Sequence, residues 1–370
     1  MPASLNDTRA APRARGQRNG LLLAGDIGGT KTALAVYSAE RGPRAPLAQC
    51  EFPSAKYASL PVMVREFLSG TDLTVDRASF AVAGPVIGGS SHVTNLSWDL
   101  SETGLAAELK LESVGLLNDL EAIGDAVPSL GPSDLHTLNA GQPVDGGAIA
   151  VIAPGTGLGE AFLIYDGARY RAFPSEGGHA SFAPRNELEA GLLTYLKRRF
   201  EHVSVERVCS GPGLLNIYHY LRDMSYAPES PEMGRALAAA EYAPPLIGGA
   251  AQRPDPDPLS HAALTLMVSI LGSESGNLAL KVLSLGGVYL AGGIPPRILP
   301  VLRDGHFLAA FTAKGRMSEL LGRMPISVVA LRAALLGAAI RGLDSGRVNN
   351  RIATGASAPP RSAARGRLSR

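Results

Sequence analysis

The sequence predicts a two-lobed α/β protein, on three observations. Its 370 residues exceed what a single hydrophobic core usually supports. Short apolar runs alternate with longer helix-period runs. A strand–glycine turn–strand pattern also occurs twice, at residues 21–38 (LLLAGDIGGTKTALAVYS) and 147–165 (GAIAVIAPGTGLGEAFLIY), which points to two related lobes.

The elements follow in order. Residues 21–27 and 32–38 read as strands joined at Gly28-Gly29, where glycine permits φ > 0. A third strand lies near 47–52, a helix over 59–69 and a buried strand at 78–84. Ser101 with Glu102 opens a helix, VGLLND ends as a strand, and a helix begins over Leu120–Ala126. Segment 128–146, rich in Pro, Gly and Ser, reads as a loop and domain boundary. Strands at 147–153 and 159–165 come next, then helices at 187–200, 212–222 and 261–284. The PDPDP run at 254–258 breaks any helix and marks an entry loop. Strands at 288–290 and 326–331 precede an apolar helix that returns to the first lobe. The domains are therefore 21–128, completed by the C-terminal helix 332–344, and 129–331.

The formal charge of +2 hides a division. Residues 1–20 carry +3 and residues 345–370 carry six arginines and no acid, which leaves the body at −7. Both ends are poor in aromatics and lack periodicity, so they read as disordered basic tails. An acidic body argues against a nucleic-acid-binding core. No run of 18 apolar residues free of charge suggests a membrane span, and residues 1–20 lack a secretory apolar region. Cys50 and Cys209 stand far apart in no paired motif, as in a reduced cytoplasmic protein.

Five segments carry chemistry. In AGDIGGTKT (24–32), Asp26 ends a strand, and the turn can aim N–H groups and the Thr30 hydroxyl at phosphate while Asp26 faces Mg²⁺. A P-loop needs glycine before Lys31, and Thr30 is there. APGTGLGEA (153–161) offers a second phosphate turn with Thr156 between Gly155 and Gly157; a following strand disfavours a dinucleotide fold. AGGIPP (291–296) places Gly292 and Gly293 before a helix. Asn118-Asp119 ends a strand, where the aspartate either accepts a hydroxyl proton or caps the helix. SEGGH (175–179) sets Glu176 and His179 across two glycines, off any helical face, so hydroxyl binding suits them better than a metal; ordinary surface residues are the alternative. Glu206 is a third hydroxyl acceptor or merely a charge complementing a helix dipole.

The set DIGGT, LNDLEA, PGTGLG, SEGGHASFAP, VERVCSGPGL and AGGI, over about residues 21–343, resembles the bacterial glucokinase family. That resemblance implies the actin-like ATPase (ribonuclease H-like) fold, with sugar and ATP in the interlobe cleft. It implies ATP-dependent phosphorylation of D-glucose at the 6-hydroxyl, with Asp119 as base and Asn118, Asp119, Glu176, His179 and Glu206 on the sugar. Gly25, Asp26, Ile27, Gly28, Gly29 and Thr30 would bind ATP, Gly155, Thr156, Gly157, Gly292 and Gly293 would face it, and Asp26 would hold Mg²⁺ directly or through water. A cytoplasmic homodimer is implied too, with no nucleic-acid or membrane partner. Lys31 departs from the family's more common Asn, as in a related family of repressors and sugar kinases, whose zinc-binding cysteine cluster is absent here. Another hexose or amino-sugar kinase, or a kinase-derived sugar-sensing regulator, remains an alternative.

Overall fold

Apolar strands of four to eight residues pair here into two large sheets whose strand orders repeat each other. A computed structural model describes residues 20–93 and 96–353; the expected tails at 1–19 and 354–370 lie outside the described residues. The first sheet is built from β1 (Leu22–Ile27), β2 (Lys31–Tyr37) and β3 (Ala48–Pro53), an antiparallel meander. Helix α1 (Leu60–Ser69) leads to β4 (Arg77–Val82), which pairs parallel to β1. A hairpin of β5 (Ser90–Val93) and β6 (Trp98–Ser101) and helix α2 (Glu102–Leu109) then lead to β7 (Ser113–Asn118), parallel to β4. The order is β3-β2-β1-β4-β7. Helix α3 (Asp119–Ala126) follows at once.

The second sheet repeats this plan. Strands β9 (Ile149–Pro154), β10 (Leu158–Tyr165) and β11 (Tyr170–Ser175) form the meander, and β12 (Gly287–Leu290) and β13 (Ile326–Val329) continue it in parallel. One further strand, β8 (Leu135–Asn139), pairs antiparallel to β13 at the edge. The 128–146 segment is thus no plain linker: it supplies an edge strand of the large lobe. Between β11 and β12 the chain forms α4 (Glu187–Leu196), α5 (Gly211–Asp223), α6 (Pro231–Ala239), α7 (Pro244–Ala250) and α8 (Pro258–Val282). Asp257 caps α8 by accepting the Ser260 N–H, so the PDPDP run starts this helix. Short helices α9 (Leu299–Leu302), α10 (His306–Thr312) and α11 (Ser318–Gly322) precede β13, and α12 (Ala333–Ala353) closes the chain. It runs nine residues beyond 344, so the tail expected from 345 is helical in its first part.

Side-chain size decides how the layers meet. The outer face of the first sheet carries Leu23, Ile27, Leu34, Val36 and Phe80, packed on α1 and α2. Its inner face is mostly alanine (Ala24, Ala33, Ala35, Ala81), which lets α12 and α3 approach closely. The second sheet turns Ile149, Val151, Ala153 and Ala161 to the same pair of helices, and Ala150, Ile152 and Val288 to α5 and α8. Helices α3 and α12 are therefore shared between the lobes. Arg341 of α12 ties them, donating to Asp125 Oδ2 and Glu121 Oε1 at 2.7 Å each. Among the described residues, α8 alone is long and apolar enough to cross a membrane, and 78% of its apolar window is buried.

Candidate active site

The five segments picked out by sequence converge at the carboxyl ends of β1, β7, β9, β11 and β12, where open α/β sheets place ligands. The first turn is tight: Gly28 N–H donates to Lys31 O (3.1 Å), and Ser54 Oγ donates to Gly28 O (2.7 Å). Neither Gly28 nor Gly29 has positive φ, contrary to expectation. Glycine is needed at 28 because a Cβ would lie 2.8 Å from Lys31 O. Thr30 is exposed beside it. Gly25 and Ile27 do not face the cleft. Gly25 abuts Phe80 and Leu34, and Ile27 is fully buried in the outer core.

At the β7–α3 junction, Asn118 is the helix cap. Its Oδ1 accepts from Leu120 N (2.9 Å) and its Nδ2 donates to Gly84 O (2.9 Å). That leaves Asp119 uncommitted as a cap, with the Leu120 N–H donating to its Oδ1 (2.9 Å). Burial, then the neighbouring Asp26 carboxylate, push the Asp119 carboxyl up to about 7, and Glu176 adds to the rise. Asp26 is itself raised to about 6, by burial, with Arg332 opposing. The two carboxylates therefore share one electrostatic environment.

SEGGH lies across the cleft. Its glycines are packed down on β10: a Cβ at Gly178 would sit 2.1 Å from Leu158 O, and one at Gly177 would meet the Glu160 carboxylate. Glu176 and His179 project into solvent, 76% and 62% exposed, with 3.8 Å between Oε2 and Nε2. The chain then bridges to the segment before Glu206, through Val205 N to Ala180 O (2.9 Å) and Phe182 N to Val203 O (2.9 Å). Glu206 stands in a short 3₁₀ turn rather than at a helix start; Ser210 caps α5. Its Oε2 accepts Leu158 N–H (2.9 Å), joining this carboxylate to the end of the Gly155–Gly157 turn. Gly211 N–H also donates to Gly155 O (2.8 Å), and Thr156 is exposed. Gly292 (φ +82°) abuts Pro154 O, while Gly293 is open. The helix expected after it is a 3₁₀ turn, Pro295–Ile298.

A magnesium ion fits this set. Among the described residues no hydrogen bond or ion pair holds the Asp26 carboxylate, and a second carboxylate acts on it. No cluster of three or more metal-ligating side chains occurs among them. Mg²⁺ takes one or two carboxylates with substrate phosphates and water, which suits such a site.

A family model for glucokinase matches residues 23–344. The chain belongs to the glucokinase family. A glucokinase from Nostoc sp. is 43% identical over 86% of this chain and 98% of its own length. The crystal structure of a glucokinase from an Antarctic psychrotroph has a TM-score of 0.72 at 32% identity, covering 88% of this chain and 100% of that one. A Balamuthia mandrillaris glucokinase in complex with glucose has a TM-score of 0.72 at 22% identity, over 88% and 93%, a likeness of fold. The glucokinase-family architecture is thus the two-lobed actin-like sugar-kinase fold expected from the motifs.

Sequence reasoning missed Glu51, Ser54, Tyr242 and Arg332, which frame the site. Only for Arg332 was a signal present: it stands between the last parallel strand of the second repeat and the helix that follows, as Asn118-Asp119 stand at the same junction of the first.

Proposed function

We propose that the protein is a glucokinase that transfers the γ-phosphoryl group of ATP to the 6-hydroxyl of D-glucose, with Asp119 as general base. The observation that carries this reading is a buried carboxyl at a strand end, raised to about 7, beside the asparagine that caps the same helix and within the field of Asp26 and Glu176. A base whose pKa lies near the working pH is the most effective one. In the reaction the sugar O6 bonds to the γ-phosphorus, the bond from that phosphorus to the β–γ bridging oxygen breaks, and the O6 proton passes to Asp119.

Asn118 retains one free amide N–H for a neighbouring hydroxyl, and Glu176, His179 and Glu206 hold others. An epimer that leaves one of these groups without its hydroxyl partner once the sugar covers them loses on the order of 1–3 kcal/mol. The Gly28–Thr30 and Gly155–Gly157 turns offer N–H and hydroxyl donors to the phosphates, where positioning dominates because the transition state is loose. Bound at Asp26, Mg²⁺ supplies charge neutralisation on the phosphates. A hollow of about 460 Å³ lined by Leu215, His219, Leu237 and Tyr242 adjoins Gly211, and we assign it to the adenosine. The same reading takes the protein as a cytoplasmic homodimer feeding glycolysis.

A coupled assay of ADP release with glucose, mannose, fructose and N-acetylglucosamine tests it. Glucose is expected to give the highest kcat/KM, and no turnover with any hexose would overturn the reading.

A further inference from the structure

One row on the inner face of the first sheet carries two carboxylates. Asp26 of β1 pairs with Ala33 of β2, and Ala33 pairs with Glu51 of β3, so the three share one face. That face is covered by α12, whose alanines pack on Ala24, Ala33 and Ala35. Immediately before α12, Arg332 reaches the row: its Nη2 lies 2.6 Å from Glu51 Oε2. Lys31, in the nucleotide turn's own strand, takes the other oxygen, with Nζ 2.6 Å from Glu51 Oε1. Both cations stay accessible, at 50% and 59% side-chain exposure.

Three carboxylates (Asp26, Glu51 and Asp119) thus stand close to a turn assigned to a polyanion, against two cations. An anion approaching such a surface is repelled unless the carboxylates are offset. Of the two cations, Arg332 alone comes from outside the sheet, at the start of the helix that covers the Asp26 face. We propose that Arg332 is a positioning residue for the nucleotide turn: tied to Glu51 from the start of α12, it offsets the Asp26–Glu51 row so that a nucleoside polyphosphate docks on Gly28–Thr30. This rests on the kinase reading, since it takes that turn as the phosphate site. It also assigns Lys31 a part, as the second cation on Glu51 rather than a P-loop lysine.

The test turns on sign. ADP with Mg²⁺ is titrated calorimetrically into the full-length protein without glucose. Arg332→Gln should weaken ADP binding on the order of tenfold. Glu51→Gln, which removes a negative charge, should leave it unchanged or tighter, and the double variant should return close to wild type. Arg332→Lys, which keeps the charge, should stay within about twofold of wild type, as should KM for glucose in all four. A merely structural ion pair predicts otherwise: both single variants would weaken binding alike, and the double would be no better. That result, or unchanged binding in Arg332→Gln, would overturn the proposal. If Arg332→Gln does not fold, the direction of the Glu51→Gln change decides. Wild-type protein that binds no ADP would instead overturn the nucleotide reading itself.

Discussion

At the end of its last parallel strand the first sheet passes from β7 into α3 through Asn118 and Asp119. At the equivalent place the second sheet passes from β13 into α12 through Ala330, Leu331 and Arg332. The strand orders are the same and both helices lie in the shared layer between the sheets, yet the side chains differ in sign. In α3 the cap is an asparagine, so the following aspartate is left to the cleft and the helix N-terminus favours its charge. Burial and Asp26 outweigh that help, which is why the carboxyl rises rather than falls. In α12 a cation stands where a helix N-terminus disfavours one, and Glu51 offsets the conflict at 2.6 Å. A repeated fold therefore offers two matched strand ends, one carrying a carboxyl and the other a cation, and the proposed roles in proton transfer and charge neutralisation rest on that difference.

The largest effect should come from erasing the difference at the first junction. Asp119→Asn is expected to lower kcat by at least about two orders of magnitude while keeping glucose affinity, because an amide cannot take the proton. Steady-state kinetics beside a glucose titration would check it, and near-normal turnover would remove Asp119 from its role. The acid side of the pH profile comes next. The base works deprotonated, so kcat/KM should fall as pH drops below about 7, approaching tenfold per pH unit. Asp26→Asn removes the negative neighbour, so it should move this limb to lower pH even as it slows the reaction; a limb that stays in place would show that the two carboxylates do not act on each other.

A smaller change is expected at SEGGH, which follows β11 as the turn at Ser54–Lys56 follows β3 but carries a carboxylate and an imidazole of its own. Glu176→Gln and His179→Ala should raise KM for glucose on the order of tenfold with little change in KM for ATP. Equal effects on both substrates would move SEGGH to a structural role. The smallest concerns what holds the junctions together. Arg341→Ala unties α12 from Glu121 and Asp125 of α3, and because that guanidinium is partly exposed the loss should be about 1 kcal/mol in denaturant unfolding, with kcat nearly unchanged.

Much of this was legible beforehand, but not always for the stated reason. The strand–turn–strand repeat was visible because apolar runs and paired glycines are local signals. Gly28 was read as a positive-φ residue, whereas the structure needs glycine there for its close approach to Lys31 O. Glu206 was read as opening a helix and instead accepts the Leu158 N–H, a partner 48 residues away. Strand β8 was read as a loop because LHTLN is polar and short; as an edge strand it needs little apolar surface.

Sequence alone determined the family, the strand–glycine turn–strand repeat and the motifs at its strand ends, since these follow from periodicity and from short motifs with their own chemistry. Only the tertiary structure decided which of those residues act together. A carboxyl's pKa depends on burial and on charges brought from other elements, and neither Asp26 beside Asp119 nor Arg332 beside Glu51 is near its partner in the chain. The pairing of strand ends across two sheets, through a shared layer of two helices, is what placed them.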